Sequence, residues 1–132
     1  MHPSYDGLDP AALIGAGPGL TPAGDDLIAG ALVAAHATAD PRLTSWQLCV
    51  RQLLTTGRTT AVSRAILHCA LDGYATSELA EYVQALCGVS DSTRHNLERA
   101  TTNLLAVGHS SGAALMTGVL HTLSTARMRG AL

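Results

Sequence analysis

The sequence predicts an all-α fold, a single compact bundle of about six helices, and three observations carry that prediction. Apolar residues recur at spacings of three and four along most of the chain, the period of one helix face. Nowhere do four or more residues keep the strict alternation that marks a half-buried strand. Start signals at Asp9-Pro10, Thr21-Pro22 and Asp40-Pro41, with glycines after apolar runs, punctuate the chain at helix-length intervals.

Residues 1–8 read as a loose leader. Asp9 and Pro10 supply an N-cap and a first helical position, but Gly15 and Gly17 stop that helix after little more than a turn. After a loop over 15–20, Thr21 and Pro22 restart the chain, and LIAGALVAAHATA carries the second helix to about Ala39. Its interior Gly30 costs about 1 kcal/mol relative to alanine, so it marks a place where another backbone comes close. Asp40 and Pro41 open a third helix, whose stripe of Leu43, Trp46, Leu48, Val50, Leu53 and Leu54 runs to Thr56.

Beyond Gly57 and Arg58, TTAVSRAILHCAL is helical in pattern, with Val62, Ala65, Ile66, Cys69 and Ala70 on one face and Gly73 closing it. Thr76 or Ser77 caps SELAEYVQAL, and Glu78 and Glu81 sit in its first turns, where the helix dipole favours acids. Ser90 and Asp91 open the next helix, which keeps its period through Leu97, Ala100, Thr101, Leu104, Leu105 and Val107 up to Gly108. The last helix, 111–127, is apolar along almost its whole length, with Arg127 and Arg129 complementing its C-terminus.

Composition bounds the function. The 132 residues fit one domain, 1–132, large enough for a real core. Charged residues are only 14% of the chain, against about 25% in ordinary domains. So thin a polar surface predicts a large interface, as a homo-oligomer or with partner subunits. Lys is absent, the net charge is −2, and no basic cluster or aromatic ladder occurs, so nucleic-acid binding is not expected. No apolar run approaches the ~18–20 residues of a membrane span, and MHPSYDGLDP lacks the basic and apolar regions of a signal peptide. Cys49, Cys69 and Cys87 are odd in number and lie in helical apolar patterns. They read as buried reduced thiols, which suits the cytoplasm.

The chemistry concentrates in GAGPGLTPAGDDLIAGAL (15–32) and its near repeat GHSSGAALMTGVL (108–120). With Gly24 set over Gly112, Leu27 falls over Leu115, Gly30 over Gly118 and Leu32 over Leu120 without a gap. Each unit is a glycine loop feeding a helix N-terminus, whose free N–H groups and positive dipole end favour an anion. In the first, Gly19 and Gly24 clear the backbone, Thr21 caps and offers a hydroxyl, and Asp25 and Asp26 can hold Mg²⁺ on a phosphate or orient an amide. The alternative is that both acids only complement the dipole while the glycines turn the chain. In the second, His109, Ser110, Ser111 and Gly112 read as a phosphate or carboxylate cradle or as plain capping. A third start, GRTTAVS, adds Arg58, Thr59, Thr60 and Ser63 as anion ligands, or as a cap beside a solvated arginine. Asp25, Asp26 and His109 are the candidate catalytic groups. His36, His68, His95 and His121 show no metal-ligand spacing and read as core-edge or surface residues.

GPGLTPAGDDLIAG, TTAVSRAILHCALDG and VGHSSGAALMTGVL, in that order, resemble the three signature blocks of the DUF2877 family. That family includes a subunit of the oxamate carbamoyltransferase complex of anaerobic allantoin degradation. The resemblance covers about Leu13 to Leu123 and implies that Gly19, Thr21, Gly24, Asp25, Asp26, Thr59, Thr60, Ser63, His109, Ser111 and Gly112 are site residues. It also implies small anionic ligands such as carbamoyl phosphate, phosphate or oxamate. Relatives are typically about twice as long, so this chain is expected to be a shortened member or only the helical half of one. Many relatives read GHxSGxD in the third block, and here Ala114 takes the place of that acid, leaving acid chemistry to the first unit.

Three readings follow. The chain is a subunit or shortened form of a carbamoyltransferase-type enzyme, a ligand-binding or regulatory module without chemistry, or a helical assembly module whose glycines serve packing alone.

Overall fold

Two glycine-bearing helices, α2 (Ala23–Ala37) and α7 (Ser111–Met128), form the axis around which the other elements pack. The computed structural model describes residues 7–88, 93–128 and 130. Around the axis stand α1 (Pro10–Leu13), α3 (Leu43–Leu54), α4 (Ala61–Leu71), α5 (Ser77–Cys87) and α6 (Thr93–Leu105), and no strand occurs among the described residues. The fold is therefore all-α, with six long helices and a single turn at α1, as the punctuation predicts. Most of the leader, the Ser90-Asp91 start signal and Arg129 lie outside the described residues.

Helix α2 is apolar on every side, and from Ile28 to Ala35 it is buried without interruption. What allows this is the absence of large side chains where α7 crosses. A Cβ at Gly30 would collide with the Leu115 carbonyl, and one at Gly118 would collide with the Leu27 carbonyl. In the repeat register Gly30 corresponds to Gly118 and Leu27 to Leu115, so the contact is reciprocal, as across an approximate two-fold axis. Thr21 meets Ser111 at one end and Thr122 reaches the Ala31 carbonyl further along. The helices therefore run in the same direction, with both N-termini at one end of the molecule.

The opposite end is locked by a buried ion pair. Asp40 was expected to cap α3, but that helix starts only at Leu43, after a turn in which the Asp40 carbonyl accepts the Leu43 N–H. The Asp40 carboxylate instead receives the Arg42 backbone N–H at 2.9 Å and, in a two-pronged bond, its guanidinium at 2.9 and 2.7 Å. The same guanidinium donates to the Thr122 carbonyl and the Thr125 hydroxyl of α7 and lies 4.6 Å over the Trp46 ring. A side chain with five donors and a flat face satisfies all these partners at once.

Helix α4 keeps the predicted period in a different phase. Ser63, Leu67, Ala70 and Leu71 face inward, whereas Val62, Ile66 and Cys69 are exposed. Ser63 is drawn in by a hydrogen bond to Asp25, and that rotation sets the face. Gly73 ends α4 at φ +84°, and Thr60 caps its start by accepting the Ser63 N–H. Of the three thiols, all free, only Cys49 is buried; Cys69 and Cys87 are exposed, contrary to the pattern-based expectation. Among the described residues no helix is long and apolar enough to cross a membrane.

Candidate functional site

The end where α2 and α7 begin gathers most of the polar residues singled out in the sequence. The loop before α2 takes positive φ at Gly15, Gly17 and Gly19, conformations that side chains resist, and so doubles back over the helix start. There the Gly24 N–H donates to the Ala16 carbonyl at 3.0 Å, and the Gly15 N–H donates to Oδ1 of Asp25 at 2.8 Å.

Asp25 is 1% exposed, and both of its oxygens are engaged. Oδ2 accepts from the Thr59 hydroxyl and from Ser63 Oγ at 2.6 Å. With three donors on one carboxylate, Asp25 knots the glycine loop, α2 and the start of α4 together. Thr60 adds a second tie, donating its hydroxyl to the Leu20 carbonyl. The first and middle blocks thus meet, but Thr59, Thr60 and Ser63 spend their hydrogen bonds on protein partners.

Asp26 is different. It is 3% exposed, and its Oδ2 has no hydrogen-bond partner. Burial pushes its pKa up to about 6, partly opposed by a hydrogen bond from Ser111 and reinforced by the charge of Asp25. Ser111 is in turn 2.8 Å from the Thr21 hydroxyl. Thr21 was expected to cap α2, but Pro22 occupies the cap position without a side-chain bond, and the Thr21 hydroxyl reaches across to α7 instead.

Asp26, Thr21 and Ser111 line one end of a cavity of about 290 Å³. Its walls are Ala29, Val33 and Leu115 from the axis, Ile66 and Ala70 from α4, Leu79 from α5, and Val107 before α7. Tyr74, Ala75 and Thr76, in the α4–α5 connection, and Gly108 also line it, and among the described residues no Arg, Lys or His does. The apolar wall escaped the sequence reading because these positions look like ordinary core residues. Only the junction of four helices makes a cavity of them.

The remaining predicted residues sit elsewhere. Gly24 and Gly112 serve close packing, since a Cβ there would strike the carbonyls of Leu13 and Leu104. Gly19 is exposed, with open space around it. Arg58 is exposed and donates to the Ala11 carbonyl at 2.6 Å. His109 and Ser110 are exposed and do not line the cavity. Among the described residues no group of three or more His, Cys, Asp or Glu is placed to hold a metal ion. A larger hollow of about 470 Å³, lined by Glu81, Gln84, Asn96 and Arg99 between α5 and α6, contains none of the predicted residues.

A family model described as oxamate carbamoyltransferase subunit AllH matches residues 13–123. The chain belongs to the AllH family. The matched span runs from the end of α1 into α7 and contains every residue that lines the Asp26 cavity, so that cavity lies wholly within the AllH region. It also contains the three sequence blocks that carry the resemblance to a carbamoyltransferase subunit. No solved structure matches the chain.

Proposed function

We propose that this AllH-family chain is a subunit of an oxamate carbamoyltransferase-type complex and that the cavity where α2 and α7 begin holds a small amide-bearing ligand. The observation that carries this reading is the buried Oδ2 of Asp26, a strong acceptor without a donor. A buried polar atom left unpaired costs about 1–3 kcal/mol, and a ligand N–H placed there recovers it. Oxamate, named in the family description, has a primary amide at one end and a carboxylate at the other. Its amide suits Asp26, and its charged end points to a cation supplied by another subunit.

A purely anionic ligand is the weaker reading. The start of α7 favours negative charge, but the carboxyl groups of Asp25 and Asp26 stand beside it and no cation among the described residues lines the cavity. A bound Mg²⁺ would rest on the unpaired Oδ2 of Asp26, since both oxygens of Asp25 are engaged. Exposed Leu20, Tyr74 and Met128 favour burial against partner subunits or a second copy. In this view the resemblance to DUF2877 and membership of the AllH family describe one relationship, and the assembled complex works in the cytoplasm.

Titration with oxamate and acetamide, followed by amide chemical shifts, tests the site. Asp26→Ala is expected to weaken both at least tenfold, and the exposed His109→Ala to leave them unchanged. Equal binding by wild type and Asp26→Ala overturns the assignment.

A further inference from the structure

An amide head fills only a corner of the cavity. The rest of its roughly 290 Å³ is walled by Ala29, Val33, Ile66, Ala70, Leu79 and Leu115, aliphatic side chains from four helices. That volume lies near the lower end of the ~300–1,000 Å³ of small-molecule sites, and its make-up, mostly apolar with a few convergent polar groups, is theirs too.

The unpaired carboxylate oxygen at the polar end decides what the head must be. Thr21 and Ser111 share one hydrogen bond of 2.8 Å, so part of their donor capacity is spent on each other. Oδ2 of Asp26 is left as a buried acceptor without a donor. A carboxylate or phosphate would bring a second negative charge against Asp26, whereas an NH₂ group supplies two donors. The carbonyl of an amide has a donor in Thr76, which lines the same cavity and whose side chain makes no capping bond to α5. An ammonium has no acceptor to satisfy, but it must shed a tightly held hydration shell to enter aliphatic walls.

We propose that the cavity takes a small neutral primary carboxamide with a branched aliphatic body, its NH₂ on Asp26 and its body against α4 and α5, and that it rejects the carboxylate of the same shape. This rests on the reading of Asp26 as an amide acceptor and extends it to the rest of the cavity. Protonation of Asp26 supplies a donor and relaxes the discrimination. The titratable groups facing Asp26 are Asp25 on its own helix and the Tyr74 phenol among the cavity walls; α7 presents Ser111, α5 presents Leu79, and α4 presents Ile66 and Ala70.

The test is calorimetric titration of the full chain with acetamide, propionamide, isobutyramide, isovaleramide, isovalerate, isopentylamine and oxamate at pH 7.5 and pH 5. Each added carbon is expected to tighten amide binding about fourfold, the value of one buried methylene. Isovalerate should bind at least tenfold more weakly than isovaleramide at pH 7.5, with the gap narrowing at pH 5. Ala70→Leu, which fills the α4 side of the cavity, should flatten the series to the acetamide level. Asp26→Asn should remove the pH dependence of the amide-to-carboxylate ratio. A flat series in a wild-type protein that still binds oxamate overturns the aliphatic body and leaves the amide site standing. Isovalerate or isopentylamine binding as tightly as isovaleramide at pH 7.5 overturns the head assignment, and no binding by any amide, oxamate included, overturns both readings.

Discussion

Gly30 of α2 lies flat against the main-chain carbonyl of Leu115 in α7, so closely that the fold has no room for a methyl group there. Gly118 repeats the arrangement against Leu27. Gly30→Ala gains about 1 kcal/mol of helix propensity, yet it forces two backbones apart. The net expectation is a loss of roughly 1–3 kcal/mol, with a similar loss for Gly118→Ala. Urea midpoints at an unchanged slope check both, and a neutral result for either would deny the close crossing.

Asp26 has a pH signature. Its folded-state pKa of about 6 lies above the ordinary 3.8, so the folded protein binds this proton more tightly than the unfolded chain does. Stability contributed by the protonated form is present below about 4 and is lost as pH rises toward 6 and above. At about 1.4 kcal/mol per pKa unit the difference is on the order of 3 kcal/mol. Asp26→Asn is expected to be more stable than wild type at pH 7.5 by up to that amount. Its urea midpoint should also lack the decline between pH 4 and pH 6, and a wild-type profile that is flat there would contradict the assignment.

Asp25 behaves in the opposite way. Removing its carboxylate strands the donors of Gly15, Thr59 and Ser63 in a buried knot. Asp25→Ala is expected to lose at least about 3 kcal/mol, since charge-assisted hydrogen bonds contribute roughly 1.5–3 kcal/mol each. Neighbouring acids thus give stability changes of opposite sign at neutral pH, which thermal unfolding of the two variants reads directly.

Arg42 and Asp40 should couple strongly. Arg42→Met leaves a buried carboxylate without its cation, at a cost of about 3–5 kcal/mol. The double variant Arg42→Met, Asp40→Asn is expected to recover much of that loss. Arg42→Lys should fail to restore wild-type stability, because one ammonium cannot pair with Asp40, reach α7 and stack on Trp46 together. A double-mutant cycle with no coupling would rule out the buried pair.

The helix boundaries were legible because Pro10, Gly73 and the caps act within a few residues of themselves. A close backbone approach at Gly30 was legible too, since a glycine is expensive in a helix interior unless something lies close. Long-range partners were not. Thr21 looked like a capping residue and Ser63 like a ligand-binding one, and each instead bonds to a residue on another helix, to Ser111 and Asp25. Asp25 and Asp26 stand side by side in the sequence, and the helix turns them to different surroundings, one saturated with donors and one facing a cavity. Asp40 read as a cap because the ion pair it makes with Arg42 depends on burial beneath α7, which local pattern does not record.

The pairing of α2 with α7 sets a timetable for folding. Their contacts join residues some ninety positions apart, among them Thr21 with Ser111 and Ala31 with Thr122. Closing so long a loop costs entropy before any contact repays it. During synthesis the apolar surface of α2 emerges before α7 and waits, without its partner, until that helix has been made. Its small alanine and glycine side chains offer little for a stray partner to grip during that interval.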